Sequence, residues 1–294
     1  MLIARLIAEP ETLGDNLARA MEAIEERGWE VAGAGMLEGC EEVLELEVLE
    51  GDPAEVRRIL DAHFPDSDLL LSLHPIAAPR LFVSDMDSTM IQAECIDELA
   101  DFAGIKDQIA AITERAMQGE LDFEAALRER VGLLRDLPEA AIHQCLAERI
   151  APMPGARTLV STLKARGCHT VLVTGGFHSF ADPVAEQLGF ERVVANRLEI
   201  RDGALTGGLV GGITDSGVKK AVLLEETARL GEGATSLATG DGANDIPMIE
   251  AAHWGLAYRA KPKARAAADG WIDRGDLTAI LLLFGIPREE WVND

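Results

Sequence analysis

Two aspartates separated by one residue follow a short apolar run at 81–83. A carboxylate that is the first residue after a buried strand can act as a nucleophile and form an acyl phosphate with a phosphate ester. We therefore predict that Asp85 is the nucleophile. Asp87, two positions further on and on the same side, is predicted to donate a proton to the leaving group and to accept one later. Taken alone, such a pair more often belongs to a solvated loop or a helix cap, so the prediction depends on other residues joining it.

Two further polar segments follow apolar runs in the same way, at 174–177 and 239–245. The carboxyl ends of parallel strands meet at one edge of a sheet, so we expect four carboxylates there. They belong to Asp85, Asp87, Asp241 and Asp245. Carboxylates held close together repel one another unless a cation lies between them, and hard oxygen ligands suit Mg²⁺. The sequence therefore predicts a magnesium site.

Other residues near these strand ends are suited to binding an anion. Thr174 supplies a hydroxyl, and Gly175 and Gly176 allow backbone amides to approach a phosphate closely, although an ordinary turn would have the same sequence. Lys219 stands at the start of a helical run, which is unfavourable for a cation unless an anion binds nearby. We predict that Lys219 binds the phosphate and that Asn244 turns toward it; a surface lysine and a simple loop are the alternatives.

The first 74 residues alternate apolar runs with helical periodicity. We predict strands over 2–7, 29–36, 42–49 and 69–73, and helices over 13–27 and 53–64. The order βαββαβ is typical of a small α+β ferredoxin-like unit, in which two helices cover one face of a four-stranded antiparallel sheet. Prolines at 75 and 79 predict a linker, so this domain is expected to span residues 1–77.

Beyond the linker, the pattern predicts an α/β domain over residues 78–294. Short β-rich runs at 81–83, 170–173, 235–238 and 254–258 alternate with helix-length stretches, which is typical of a Rossmann-like parallel sheet. Asp202-Gly203 suits the turn of a hairpin. The interval after the first core strand is far longer than a crossover needs and rich in helix formers, so we predict a helical cap over approximately residues 90–155.

Composition and charge exclude several classes of protein. The chain has 27 Lys and Arg against 51 Asp and Glu, and its formal net charge of −24 repels nucleic-acid backbones and anionic membrane surfaces. The apolar start of the chain is interrupted too early, by Arg5 and Glu9, for a signal peptide or a membrane span. Four scattered cysteines predict buried thiols. We expect a cytoplasmic protein that binds neither nucleic acid nor membranes.

From residue 80 to the C-terminus the sequence resembles the haloacid dehalogenase (HAD) phosphotransferase superfamily and, within it, the phosphoserine phosphatase family. The superfamily resemblance rests on Asp-x-Asp-x-Thr at 85–89. The closer one rests on the runs QAECIDELADFAG, ITERAMQGELDFEAALRERVGLL, ANRLEI and TGDGANDIPMI. The resemblance implies Mg²⁺-dependent hydrolysis of O-phospho-L-serine to L-serine and inorganic phosphate through an aspartyl phosphate, as the last step of phosphorylated serine biosynthesis.

The resemblance also implies residues that recognise the substrate. Glu94 would accept from the ammonium of phosphoserine, and Arg130 would bind its carboxylate with two hydrogen bonds. Met117 and Phe123 are similar to family residues that shield the apolar stem of the substrate. Without the resemblance, Glu94 and Arg130 would be taken for surface residues of helices, and the other two for ordinary core.

The family's metal ligands transfer to three positions of this sequence. They are the side chain of Asp85, the backbone carbonyl of Asp87 and the side chain of Asp241, while Asp245 would orient the lysine or the metal-bound waters. Thr174 departs from the pattern, since many members have serine there. Its hydroxyl can make the same hydrogen bond, but its methyl group crowds the pocket.

Two alternatives to hydrolysis remain open. One is transfer of the phosphoryl group to another alcohol such as homoserine, and the other is an amino-acid-binding regulator with an inactive core. The N-terminal domain resembles ACT-type regulatory modules in its topology. That resemblance implies binding of L-serine as a regulator or assembly into a homodimer, and an inert accessory role is equally open.

Overall fold

The computed structural model describes residues 1–117 and 120–292 of the chain. The strands are β1 (Leu2–Ile7), β2 (Glu30–Leu37), β3 (Cys40–Leu49), β4 (Asp68–Ser72), β5 (Leu81–Ser84), β6 (His169–Phe177), β7 (Arg192–Arg201), β8 (Ala204–Val210), β9 (Ser236–Gly240), β10 (Trp254–Tyr258) and β11 (Gly270–Ile272). The helices are α1 (Pro10–Glu25), α2 (Pro53–His63), α3 (Cys95–Phe102), α4 (Lys106–Met117), α5 (Phe123–Leu133), α6 (Glu139–Arg149), α7 (Ala156–Ala165), α8 (His178–Leu188), α9 (Ser216–Arg229), α10 (Ile246–Ile249), α11 (Pro262–Ala267) and α12 (Ala279–Leu283).

One sheet of eleven strands organises the molecule, in the order β2-β3-β1-β4-β11-β10-β9-β5-β6-β7-β8. Between β11 and β7 in this order, each pair of adjacent strands is parallel, whereas β11 is antiparallel to β4 and β7 is antiparallel to β8. Strands β5, β9 and β10 are buried along their whole length, as expected for parallel strands covered on both faces. The predicted α/β fold with a largely parallel sheet is confirmed.

The first six elements follow the predicted order βαββαβ. Strand β1 lies between β3 and β4 and is antiparallel to both. Alternate residues of β1, among them Leu2 and Leu6, share a buried apolar cluster with Ile24 of α1 and Ile59 of α2. Because side chains alternate across a strand, Ile3 points to the other face, where it joins the larger core cluster that contains α12.

The sheet of this N-terminal unit continues into the core. Strand β4 pairs antiparallel with β11, and a β carbon on Gly270 would lie 1.9 Å from the carbonyl oxygen of Leu69, so this close pairing needs a glycine. The buried carboxylate of Asp68 accepts hydrogen bonds from the backbone N–H groups of Asp273, Arg274 and Gly275. Hydrogen bonding therefore joins the two predicted domains, and the division near residue 77 stays a prediction.

Helices α3 to α6 lie between β5 and β6, in agreement with a cap inserted after the first core strand. The hairpin β7–β8 turns at Asp202 and Gly203, whose φ angles are 52° and 78°. Backbone hydrogen bonds of 2.8 and 2.9 Å join Leu205 of the hairpin to Asp136 and Leu137, which lie in the loop between α5 and α6 of the cap. The hairpin thus supports the cap. Among the described residues, no helix is both long and apolar enough to cross a bilayer.

Candidate active site

The carboxyl ends of β5 and β9 bring three acidic side chains together. Asp85 directly follows β5, Asp241 directly follows β9, and Asp245 stands at the start of α10. One carboxylate oxygen from each of these buried residues lies within 4.8 Å of the others. The backbone N–H of Asp85 donates to the carbonyl of Thr239 at 3.0 Å, which fixes the two strand ends side by side.

The ammonium group of Lys219 lies among these carboxylates. Its Nζ donates to Asp85 Oδ1 and to Asp245 Oδ1, both at 2.7 Å, and its side chain is 1% exposed. Burial lowers the pKa of Lys219, but the two carboxylates outweigh burial and leave its pKa above the ordinary value. Burial and the carboxylate of Asp245 raise the pKa of Asp85, and Lys219 opposes that rise. A predicted phosphate ligand is therefore also the counter-ion of the predicted nucleophile.

Asp87 faces a different part of the site. Its Oδ1 accepts from the backbone N–H of Cys95 at 2.9 Å, and its Oδ2 accepts from Thr174 Oγ1 at 3.3 Å. Burial, with a contribution from the carboxylate of Glu94, raises the pKa of Asp87 to about 6. A carboxyl group with such a pKa is suited to giving and taking a proton near neutral pH. The next residue, Ser88, has a φ of 57°, which turns the chain away immediately after this carboxylate.

Glycines allow the backbone to pass close to these carboxylates. A β carbon on Gly176 would lie 2.8 Å from Asp87 Oδ2, and one on Gly240 would lie 2.4 Å from Asp245 Cγ. The N–H of Gly176 donates to Thr174 Oγ1 at 2.9 Å, so the threonine hydroxyl links this end of β6 to Asp87. The departure from serine at position 174 therefore keeps the hydroxyl's hydrogen bonds.

A cavity of about 120 Å³ lies between these strand ends and the cap. It is lined by Asp85, Asp87, Glu94, Ile96, Phe123, Leu127, Arg130, Thr174, Gly175, Gly176, Phe177, Asp241, Asn244 and Lys261. Most of the residues predicted from the sequence thus meet at one cavity. Lys219 and Asp245 lie behind its wall, where both are fully buried. Met117 was also predicted to line the pocket, but its side chain lies outside the described residues.

The cap contributes polar side chains to the cavity. Glu94 Oε1 accepts from Ser88 Oγ at 2.8 Å, and Arg130 Nε donates to the carbonyl of Ala126 at 3.3 Å. Burial lowers the pKa of Arg130, and the carboxylates of Asp97 and Glu94 oppose that shift. An acidic group and a basic group therefore line the same cavity as the carboxylates of the core.

Lys261 is a site residue that the sequence analysis missed. Its Nζ lies 3.4 Å from Asp241 Oδ2, and its backbone N–H donates to the carbonyl of Asp241 at 2.8 Å. Lys261 comes three residues after β10, a strand that the sequence did predict. Because residues after every parallel strand lie at the same edge of the sheet, the segment after β10 would have suggested it.

The cluster formed by the carboxylates of Asp85, Asp241 and Asp245 has the chemistry of a site for a hard divalent cation. Three carboxylates within reach of one ion provide the oxygen ligands that Mg²⁺ prefers. Asp245, which the sequence placed outside the metal's own ligands, has an oxygen within this group and also accepts from Lys219 and from the N–H of Gly242. The side chain of Asp87 faces Cys95 and Thr174, which leaves its backbone carbonyl as its predicted ligand atom.

Comparison with known proteins gives consistent matches. The haloacid dehalogenase-like hydrolase family matches residues 82–250. A phosphoserine phosphatase of Archaeoglobus fulgidus is 42% identical over 245 residues, which are 81% of this chain and 70% of that protein. A HAD family hydrolase from Salmonella enterica serovar Typhi is similar in structure, with a TM-score of 0.83 and 30% identity over 97% of this chain and 99% of that chain. A phospho-aspartyl intermediate analogue of phosphoserine phosphatase has a TM-score of 0.63 and 40% identity, over 69% of this chain and 97% of that chain.

Proposed function

We propose that this chain, which belongs to the haloacid dehalogenase-like hydrolases and within them to the phosphoserine phosphatases, hydrolyses phosphoserine to serine and inorganic phosphate. The observation that carries the proposal is the buried contact of Lys219 Nζ with Asp85 Oδ1 at 2.7 Å, at the end of a parallel strand. An ammonium group beside a carboxylate nucleophile lowers the repulsion that a phosphate dianion meets on approach. The relative trapped as a phospho-aspartyl analogue supports the same chemistry.

We infer that Mg²⁺ binds to the side chains of Asp85 and Asp241 and to the backbone carbonyl of Asp87. The carboxylate oxygens of Asp85, Asp241 and Asp245 support this inference, because they are hard donors that lie within 4.8 Å of one another. When bound, the ion would neutralise negative charge on the phosphoryl group. Asp245 would act on this site through Lys219, to which it is hydrogen-bonded.

The reaction proceeds through two successive displacements at phosphorus. In the first, a carboxylate oxygen of Asp85 attacks phosphorus in line with the leaving serine oxygen, which receives a proton from Asp87. In the second, water attacks the phosphorus of the aspartyl phosphate and gives a proton to Asp87. Inorganic phosphate is released, Asp85 becomes a free carboxylate again, and Asp87 regains its proton. The raised pKa of Asp87, about 6, suits a group that alternates between donor and acceptor.

Glu94 and Arg130 provide the selectivity for an amino-acid phosphate. An ammonium group of the substrate would be held by Glu94, and a carboxylate by Arg130, whose pKa is lowered by burial but whose guanidinium stays charged. Phe123, which lines the cavity, would cover the apolar stem between them. Closure of the cap over the cavity would keep bulk water away from the aspartyl phosphate.

We propose further that the N-terminal unit binds L-serine as a regulator, that the chain assembles as a homodimer, and that it works in the cytoplasm. The cytoplasm suits four cysteines that are all free thiols. The shared sheet gives a ligand on this unit a hydrogen-bonded route to the core through β4 and β11. A thermal shift of the full chain on addition of L-serine that persists in Arg130→Ala, which removes the proposed active-site contact with the serine carboxylate, would support the regulator. A shift that disappears in this variant, or an unchanged transition of the unaltered protein, would contradict it.

The test of the main proposal is a phosphate-release assay with phosphoserine, phosphothreonine and a sugar phosphate, with Mg²⁺ and with a chelator. We expect release from phosphoserine in Mg²⁺ and little release otherwise. Asp85→Asn should abolish turnover without loss of the fold, whereas the exposed Asp182→Asn should leave turnover unchanged. Near-normal turnover by Asp85→Asn, or preferential transfer of phosphate to added homoserine, would contradict the proposal.

A further inference from the structure

A buried asparagine in β7 joins the end of β6 to the segment that precedes α9. The side chain of Asn196, whose residue is 1% exposed, donates from Nδ2 to the carbonyl of Gly175 and accepts at Oδ1 from the N–H of Thr214, both at 2.8 Å. A carbonyl needs a donor and an N–H needs an acceptor, so only this orientation of the amide satisfies both partners. Asn196 belongs to the run ANRLEI, to which the proposed mechanism gives no role.

The first of these bonds fixes the peptide between Gly175 and Gly176. In a planar trans peptide the carbonyl and the N–H point in opposite directions, so holding one also directs the other. Here Asn196 holds the carbonyl, and Thr174 Oγ1 accepts from the N–H at 2.9 Å. A peptide between two glycines meets little steric resistance to flipping. A flip would direct the carbonyl oxygen, which carries partial negative charge, to the side of Thr174 and Asp87.

The second bond fixes the start of α9. Thr214 immediately precedes Asp215, the N-cap of α9, whose side chain accepts from the N–H of Val218 at 2.9 Å. One turn further on, Lys219 contacts the nucleophile candidate Asp85. Asn196 therefore sets the separation between the end of β6 and the helix that supplies the buried ammonium group.

We propose that Asn196 is a positioning residue for phosphoryl binding, because it keeps the carbonyl of Gly175 away from the anion and holds the start of α9 against the end of β6. This inference rests on the proposed function and refines it. Among the described residues, the Asn196 side chain forms hydrogen bonds with Gly175 and Thr214 and with none of the three clustered carboxylates. Its loss should therefore weaken binding of phosphate and spare binding of the metal.

The experiment measures binding of inorganic phosphate in the presence of Mg²⁺, and of Mg²⁺ alone, by titration calorimetry. Asn196→Ala removes both hydrogen bonds. Asn196→Asp keeps the acceptor for Thr214 but loses the donor and places a carboxylate against the carbonyl of Gly175. The matched control is Ser236→Ala, which removes one buried hydrogen bond, from the N–H of His253 to Ser236 Oγ at 3.1 Å, at the opposite end of β9 from Asp241.

We expect both Asn196 variants to raise the Kd for phosphate about tenfold, equivalent to about 1.4 kcal/mol, with the Kd for Mg²⁺ within about twofold of the unaltered protein. Ser236→Ala should lower the unfolding temperature and leave both constants unchanged. Phosphate affinity retained in both Asn196 variants, a parallel loss of Mg²⁺ affinity, or loss of folding in both variants would overturn the inference. An unaltered protein that binds phosphate but does not hydrolyse phosphoserine would refute the proposed function. The effect of Asn196 on phosphate affinity could still be measured in that case.

Discussion

Replacing Lys219 by methionine tests the electrostatics of the site. The lysine side chain is 1% exposed and makes two ion pairs of 2.7 Å, to the buried carboxylates of Asp85 and Asp245. Removing one partner from a buried ion pair typically costs about 3–5 kcal/mol, because the remaining charges are left uncompensated. Exposed pairs contribute about 1 kcal/mol or less. We therefore expect Lys219→Met to lower the free energy of unfolding by about 3–5 kcal/mol near pH 8 without divalent metal.

The same variant should show a specific dependence on pH. Burial already raises the pKa of Asp85, and removing the ammonium group of Lys219 raises it further. The folded variant then holds a proton that the unfolded chain releases near pH 4, so the folded state loses stability as pH rises between these two pKa values. We expect the cost of Lys219→Met to be smaller near pH 5 than near pH 8.

Urea denaturation in the presence of a chelator, at both pH values, measures these quantities. The control is Lys220→Met, which removes the same charge from an exposed neighbouring position and should change the free energy of unfolding by no more than about 0.5 kcal/mol. A cost below about 1 kcal/mol for Lys219→Met near pH 8, or a cost that grows on acidification, would refute the assignment of Lys219 as the buried counter-ion.

Two further substitutions and one thiol-labelling experiment have defined outcomes. Gly176→Ala would place a β carbon 2.8 Å from Asp87 Oδ2, so steady-state assays should give a kcat lowered by about tenfold or more, and an unchanged kcat would contradict the close approach. Gly270→Ala would place one 1.9 Å from the carbonyl oxygen of Leu69, so the free energy of unfolding should fall by about 3 kcal/mol or more; a negligible loss in urea denaturation would argue against the β4–β11 pairing. Burial raises the pKa of Cys168 to about 12, so this thiol should react with a disulfide reagent near pH 8 only after unfolding, and rapid labelling of the native protein would contradict its burial.

Local patterns in the sequence predicted much of the fold. Strands β1 and β10 have the bounds that the sequence predicted. Each is a short apolar run limited by polar or helix-forming residues. The turn at Asp202-Gly203 was predictable from residue types that tolerate positive φ. Placing Asp85 and Asp241 at one sheet edge followed from a general property of parallel sheets and needed no knowledge of side-chain contacts.

Other features depend on residues that meet only after folding. The pairing of β4 with β11 joins segments about 200 residues apart, and the glycine that permits it is visible only once Leu69 is opposite. Lys219 could be read as a surface lysine because its helix has a polar exposed side, yet its ammonium group is enclosed by carboxylates from two other loops. The bridge made by Asn196 likewise joins β7 to the end of β6 and to the segment before α9, which meet only after the chain folds.

In the proposed mechanism Asp85 accepts the phosphoryl group. The most direct measurement mixes the protein with radiolabelled phosphoserine in Mg²⁺, quenches with acid within one turnover and maps the labelled peptide by mass spectrometry. We predict label on the peptide that contains Asp85, sensitive to hydroxylamine as an acyl phosphate is, and none in Asp85→Asn. Label on another residue, or turnover without any labelled protein, would contradict the claim.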